Sequence, residues 1–255
     1  MSAIMSPAAQ ERFAAALTEV HEALDWDLLG GLYCEEGGEH FFPAQQREAI
    51  TDAGLLLAAD VGEAVASAPE GPGRSLYVGA AVGELAPMLC EALVMQREVV
   101  ALNLANPETT EINRALDTVA RSLGFDLPSI RCGDWDPMGV GRCQHVWLVS
   151  VLTDPDNFPA LHDELYGRSG TALATQRGYL PAELAAGREL LRKVLDCVTP
   201  GGLITTTDEE FPIFAEQCAQ RGWSLEPAAQ ARLSAIVGDP VRVCRIADGI
   251  EPDAS

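Results

Sequence analysis

Ser75-Leu-Tyr-Val-Gly-Ala-Ala-Val-Gly-Glu-Leu85 joins an apolar run to a turn of small residues and then to a helical pattern. Residues 74–79 read as a buried strand and residues 84–96 as the helix that follows it. Small residues at such a turn let backbone approach a ligand, and the helix start presents free N–H donors. The alternation continues downstream. Residues 98–104 form a second strand, 106–123 a helix with Pro107 in its first turn, 129–132 a short third strand and 144–151 a fourth. Residues 183–198 are helical, Pro200-Gly-Gly turns into a fifth strand at 203–207, and 211–221 are helical. Residues 233–237 and 241–246 flank Gly238-Asp-Pro240, the signal of a closing hairpin. Strands alternating with helices of this length predict an α/β fold, a Rossmann-like doubly wound seven-stranded sheet with an antiparallel C-terminal hairpin.

Upstream the pattern is helical. Phe13, Leu17, Val20, Leu24 and Leu28 recur on one helix face within residues 11–29, and a second helix starts after Pro43 and runs towards Val65. Ser67-Ala-Pro-Glu-Gly-Pro-Gly73 is the strongest break in the chain. It divides a helical cap and linker, residues 1–72, from the main domain, residues 73–250. The glycine- and aromatic-rich stretch 30–42, with Tyr33 in it, suits a lid, so residues 1–66 are expected to cover the mouth of a pocket.

Composition narrows the function. The 255 residues are 47% hydrophobic and 22% charged, values of a globular chain with a sizeable core. No apolar run approaches a membrane span. The net charge of −21 repels phosphate backbones, which argues against nucleic acid as a partner. Residues 1–7 lack a basic and apolar leader, and the seven cysteines are widely spaced with no C-x-x-C. Cytoplasmic thiols fit better than disulfides or zinc, and no metal site is expected. His40 lies among Glu35, Glu36 and Glu39 without metal-ligand spacing, and reads as part of a solvated acidic loop. Gly167-Arg-Ser-Gly-Thr171 lacks the second glycine of a hydrolase elbow, and the first loop lacks the G-x-G-x-x-G of NAD binding.

Ligands of open parallel sheets bind at the carboxyl ends of the strands. Four loops qualify: Gly79–Gly83, Asn103, Gly133-Asp134-Trp135 and Ser150 to Pro155. With these residues in view, the chain resembles the class I S-adenosylmethionine-dependent methyltransferases. Residues 75–85 resemble the family's first motif, 99–104 its second, Cys132-Gly-Asp-Trp135 its third, and residues 195–203 its Pro-Gly-Gly turn before strand five. The similarity spans about residues 73–247, and it is carried by order and spacing rather than by any one motif. Three positions depart from the pattern: Tyr77 stands at the first acid, Ala81 at the middle glycine, and Asn103 at the ribose-binding acid.

The resemblance implies S-adenosyl-L-methionine as cofactor, held by Gly79, Ala81, Gly83, Asn103, Asp134, Trp135 and Ser150. It implies methyl transfer to a small molecule or protein. His162 and Asp154, soon after strand four, are the acid/base candidates. Arg168 and Arg177 lie in a stretch, 165–182, that contains no acidic residue. With Tyr33 they are the substrate-binding candidates, each guanidinium suited to a carboxylate or phosphate. The three departures support a different reading, a methyltransferase-like domain without activity that binds or scaffolds a partner.

Overall fold

The computed structural model describes residues 6–34, 38–68, 73–133 and 137–248. The helical N-terminal part comprises α1 (Pro7–Ala23), α2 (Trp26–Tyr33), α3 (Gly38–Phe41) and α4 (Ala44–Ser67). The single helix expected over 11–29 is two. Asp25 breaks it because its carboxylate accepts the Leu28 N–H at 3.0 Å and caps α2 instead.

The alternating part follows: β1 (Arg74–Val78), a 3-10 turn (Val82–Glu84), α5 (Leu85–Leu93), β2 (Glu98–Asn103), α6 (Pro107–Leu123), β3 (Ile130–Cys132), α7 (Pro137–Val140) and β4 (Cys143–Leu148). Then come α8 (Pro159–Leu165), α9 (Leu180–Cys197), β5 (Val198–Thr207), α10 (Phe211–Ala219), β6 (Trp223–Pro227), β7 (Arg232–Leu233) and β8 (Pro240–Asp248). One sheet runs β3-β2-β1-β4-β5-β8-β6. Pairing is parallel from β3 through β5, and β8 is antiparallel to β5, β6 and β7.

The doubly wound sheet and antiparallel β8 match the expectation, but the hairpin differs. Of the expected first arm, residues 233–237, only Leu233 pairs with β8, opposite Pro240, and Ala235, Ile236 and Val237 form a turn. The eighth strand is β6, whose Trp-Ser-Leu-Glu-Pro run was too short and too close to proline to read as a strand. As the outermost strand it tolerates that proline, which has no N–H to donate.

Alternation along the strands divides the core into two layers. Tyr77, Ala101, Trp147 and Leu203 face α1, α4, α5 and α6. Leu76, Val78, Val146, Leu148 and Ile204 face α8, α9 and α10. The N-terminal helices share the first layer's core: Leu17, Val20, Ile50 and Leu57 are buried in the same cluster as Tyr77. At Gly54 a Cβ would lie 2.8 Å from Ala86 Cβ, so glycine permits α4 to rest on α5.

Beneath the sheet lies a buried polar cluster. Glu91 Oε1 accepts from the Tyr77 hydroxyl at 2.6 Å and meets His145 Nδ1 at 2.8 Å. Its Oε2 accepts from Arg97 Nε at 2.9 Å and from Ser75. Arg97 also donates to Gln144 Oε1 and to the Arg74 carbonyl, and His145 Nε2 meets Thr205 at 2.9 Å. Tyr77, at the place of the family's first acid, is therefore a structural donor to a buried carboxylate.

Candidate functional site

A cleft of about 1180 Å³ opens at the carboxyl ends of β1, β2 and β4. Its floor is the loop between β1 and α5. Gly79 has φ +74°, and a Cβ there would lie 2.5 Å from Val151 Cγ2, so this position requires glycine on two counts. The loop's polar groups are tied by neighbouring carboxylates. Glu84 accepts the Ala81 N–H at 2.9 Å and the Trp147 indole N–H at 3.4 Å. Glu108, on the first turn of α6, takes the Val82 N–H at 3.3 Å and the Tyr33 hydroxyl at 3.0 Å. Burial raises Glu84 to about 7. Asn103 Nδ2 donates to the Ala80 carbonyl at 2.8 Å and its Oδ1 accepts the Leu104 N–H at 2.7 Å.

The wall after β4 is held from below. Glu210 accepts the Ser150 N–H at 3.1 Å and the Leu152 N–H at 2.6 Å, and two threonine hydroxyls, Thr206 and Thr207. Burial raises this carboxyl to about 7. Ser150 sits in the left-handed region at φ 56°, held there by these bonds. Opposite, the turn between β7 and β8 presents Asp239, whose Oδ2 accepts from Tyr166 at 2.5 Å and Ser150 Oγ at 3.2 Å. Helices α2 and α4 supply the remaining wall through Leu32, Tyr33 and Leu57.

A sheet parallel from β3 to β5, with one antiparallel strand inserted before its outer edge, and a cleft at its carboxyl ends complete the pattern the sequence resembled. The chain has the class I methyltransferase-like fold. No protein-family model matches the sequence, and no curated protein matches it. Among solved structures, a methyltransferase from Pyrococcus furiosus is similar at 13% identity and TM-score 0.43, over 76% of this chain and 83% of its own. An O-methyltransferase from Bacillus cereus, solved in complex with SAH, is similar at 11% identity and TM-score 0.41, over 97% of this chain and 94% of its own. Magnesium protoporphyrin IX methyltransferase from Synechocystis, solved with bound SAM, shows 11% identity and TM-score 0.43, over 80% and 81%.

In this cleft Gly79, Ala81, Gly83, Asn103, Ser150, Asp154, His162, Arg168 and Tyr33 come together. Asp134 and Trp135 lie outside the described residues. Arg177 does not join: it is exposed, donates to the Pro155 carbonyl at 3.2 Å and pairs with Asp156 at 3.6 Å. Asp154 accepts from the Asp156 N–H at 2.8 Å and from the Asn157 side chain, so both oxygens close its own turn. His162 Nδ1 lies 2.6 Å from the Thr153 carbonyl, and its Nε2 lies 3.0 Å from Arg168 Nη1. A carbonyl only accepts and a guanidinium only donates, so the proton belongs on Nδ1 and Nε2 receives the Arg168 hydrogen bond. Sequence reasoning passed over Glu108, Glu210 and Asp239 as site residues. Each carried a readable signal: Glu108 follows Pro107 in a helix's first turn, Glu210 precedes α10, and Asp239 sits in the Gly-Asp-Pro turn.

Proposed function

We propose that the chain binds S-adenosyl-L-methionine in this cleft and methylates a small molecule or protein. The observation that carries this reading is the cleft's acidic lining: among the described residues, Asp154, Asp156 and Asp239, with Glu84 and Glu108 whose ionisation burial pushes upward in pH, line it against Arg168 alone among arginines and lysines. A sulfonium cation suits such a donor set, and opposed charges in a partly dry cleft attract strongly. The small-residue loop from Gly79 to Gly83 and Asn103 would hold the nucleoside, with Asn103 exchanging its internal bonds for ribose hydroxyls. When bound, the cofactor supplies an electrophilic methyl group. The chain's own part is to orient an acceptor and exclude water, which Leu32, Leu57 and Tyr33 do from the N-terminal wall. His162 can accept a proton on Nε2 only when Arg168 withdraws, and Asp154 must release its turn. The same reading places the protein in the cytoplasm, in keeping with seven widely spaced cysteines that form no C-x-x-C, and sets nucleic acid aside on the net charge of −21. Among the described residues no helix is long and apolar enough to cross a membrane.

A second reading is a cofactor-free binding domain. It is favoured by one feature: the Ala81 N–H and both polar atoms of Asn103 are already satisfied within the protein. Calorimetric titration of the full chain with S-adenosylmethionine and S-adenosylhomocysteine separates the two. Binding of either, with a melting shift corresponding to about 2.7 kcal/mol at a hundred times Kd, supports the first. No heat with either ligand at millimolar concentration leaves the second.

A further inference from the structure

At one end of the cleft lie two opposite charges, Asp239 and Arg168, neither with a charged partner among the described residues. Asp239 is 5% exposed, and its carboxylate receives only the neutral hydroxyls of Tyr166 and Ser150 on Oδ2. Oδ1 accepts from no described residue. Arg168 forms no ion pair among the described residues; it donates to His162 and lies over the Tyr166 ring, its guanidinium carbon 4.8 Å from the centroid. Tyr166 thus touches both charges, Arg168 with its ring face and Asp239 with its hydroxyl. One cleft-lining hydroxyl joins them: Ser234 Oγ is buried with no hydrogen-bond partner among the described residues. The neighbouring wall, Phe158, Leu190 and Ile236, is apolar.

A half-dry end of a cleft that holds an unpaired anion, an unpaired cation and a spare hydroxyl beside an apolar wall is built for a ligand with the complementary set. We propose that this end of the cleft recognises a zwitterion, an amino acid or a close relative, with its carboxylate on Arg168 and its ammonium on Asp239. A guanidinium matches a carboxylate by two parallel N–H bonds, and a buried carboxylate matches an ammonium with charge-assisted bonds. The proposal takes its role as an acceptor site from the methyltransferase reading, but the binding itself stands apart from it.

The test is calorimetry on the full chain with three probes: L-phenylalanine, phenethylamine and 3-phenylpropionate. They share a ring and carry both charges, the cation alone or the anion alone. L-Phenylalanine is expected to bind about tenfold or more tightly than either of the others, since each charge contributes its own charge-assisted bonds. Arg168→Gln should reduce it to the level of phenethylamine and leave phenethylamine unchanged. Asp239→Asn should reduce it to the level of 3-phenylpropionate and leave that probe unchanged. Should Asp239→Asn melt early, Arg168→Gln decides alone, because Arg168 forms no ion pair among the described residues. A singly charged probe binding as tightly as L-phenylalanine overturns the proposal. So does unaltered L-phenylalanine binding in Arg168→Gln, or no binding at about 10 mM, a weak limit on the affinity scale. Displacement of L-phenylalanine by saturating S-adenosylhomocysteine also overturns it, by placing the zwitterion where the cofactor's own amino-acid end belongs. Retained S-adenosylhomocysteine binding alongside absent L-phenylalanine binding removes this proposal alone. The reverse result removes the methyltransferase reading alone.

Discussion

Glu91, Glu84 and Glu210 are three enclosed carboxylates with opposite behaviour. Burial alone would raise Glu91, but His145 and the hydroxyls of Ser75 and Tyr77 outweigh it and hold the group at about 2. Lowered below its ordinary 4.5, Glu91 contributes stability above that pH and loses it as pH falls towards 2. Glu84 and Glu210 are raised to about 7, so the folded state takes up protons between 4.5 and 7 and stability declines as pH rises through that window. Urea titrations of Glu210→Gln should show a flatter decline over that range than the parent, with Glu91→Gln flattening only the acid limb. Asn103→Asp is expected to split two measurements. Without ligand it lowers stability by about 1 kcal/mol, because the Ala80 carbonyl loses its donor. With S-adenosylhomocysteine it binds more tightly, since a charged acceptor strengthens bonds from ribose hydroxyls. Melting curves with and without the ligand read both, and equal affinity would remove Asn103 from the ribose site. Such pairings explain what sequence could not show. Tyr77 and Asn103 were visible as departures, but their partners, Glu91 and Ala80, come from a helix and a loop that only the folded sheet brings near.

At the scale of elements, α4 lies on α5 through Gly54. Gly54→Ala places a methyl 2.8 Å from Ala86 Cβ, inside contact distance, so a helix must shift. The gain in helix propensity is about 1 kcal/mol and the cost of overpacking about 1–3 kcal/mol, so net destabilisation is expected in urea melts. At the other end of the cleft wall, Asn106 caps α6 through the Thr109 N–H at 2.7 Å. Its replacement by alanine should cost about 1 kcal/mol and loosen Glu108 two residues on, weakening ligand affinity as well as stability. The parallel strands were legible because both sheet faces are covered, so apolar stretches such as Leu76–Val78, Val99–Leu102 and Val146–Leu148 run unbroken between helical segments. β6 was not, because an edge strand of five residues ending in proline has half its pairing and little burial to declare it. The stretch 233–237 misled for the converse reason: its apolar residues, Ile236 and Val237, line the cleft instead of a ladder.

Over the whole molecule, the charge of −21 sets a field that folding concentrates. Several arginine–carboxylate pairs, among them Arg74–Glu98 and Arg232–Asp60, answer it locally, but the surplus remains. Added salt should therefore raise the melting temperature between about 10 and 200 mM sodium chloride, as the Debye length falls from about 30 Å to below 10 Å. A flat or falling response would show that local pairs dominate. The order of the sheet bears on how the molecule is made. β8 is the last strand in sequence, yet it lies between β5 and β6 and carries both of their pairings. During synthesis the first five strands can assemble while β6 waits without a neighbour, and the Asp239 side of the cleft does not exist. Such late, long-range closure is slow. A ribosome-arrested chain cut before β8 is thus expected to hold its helices and its parallel sheet but to expose the β5 edge, which makes nascent chains of this protein natural clients of chaperones that shield unpaired strands.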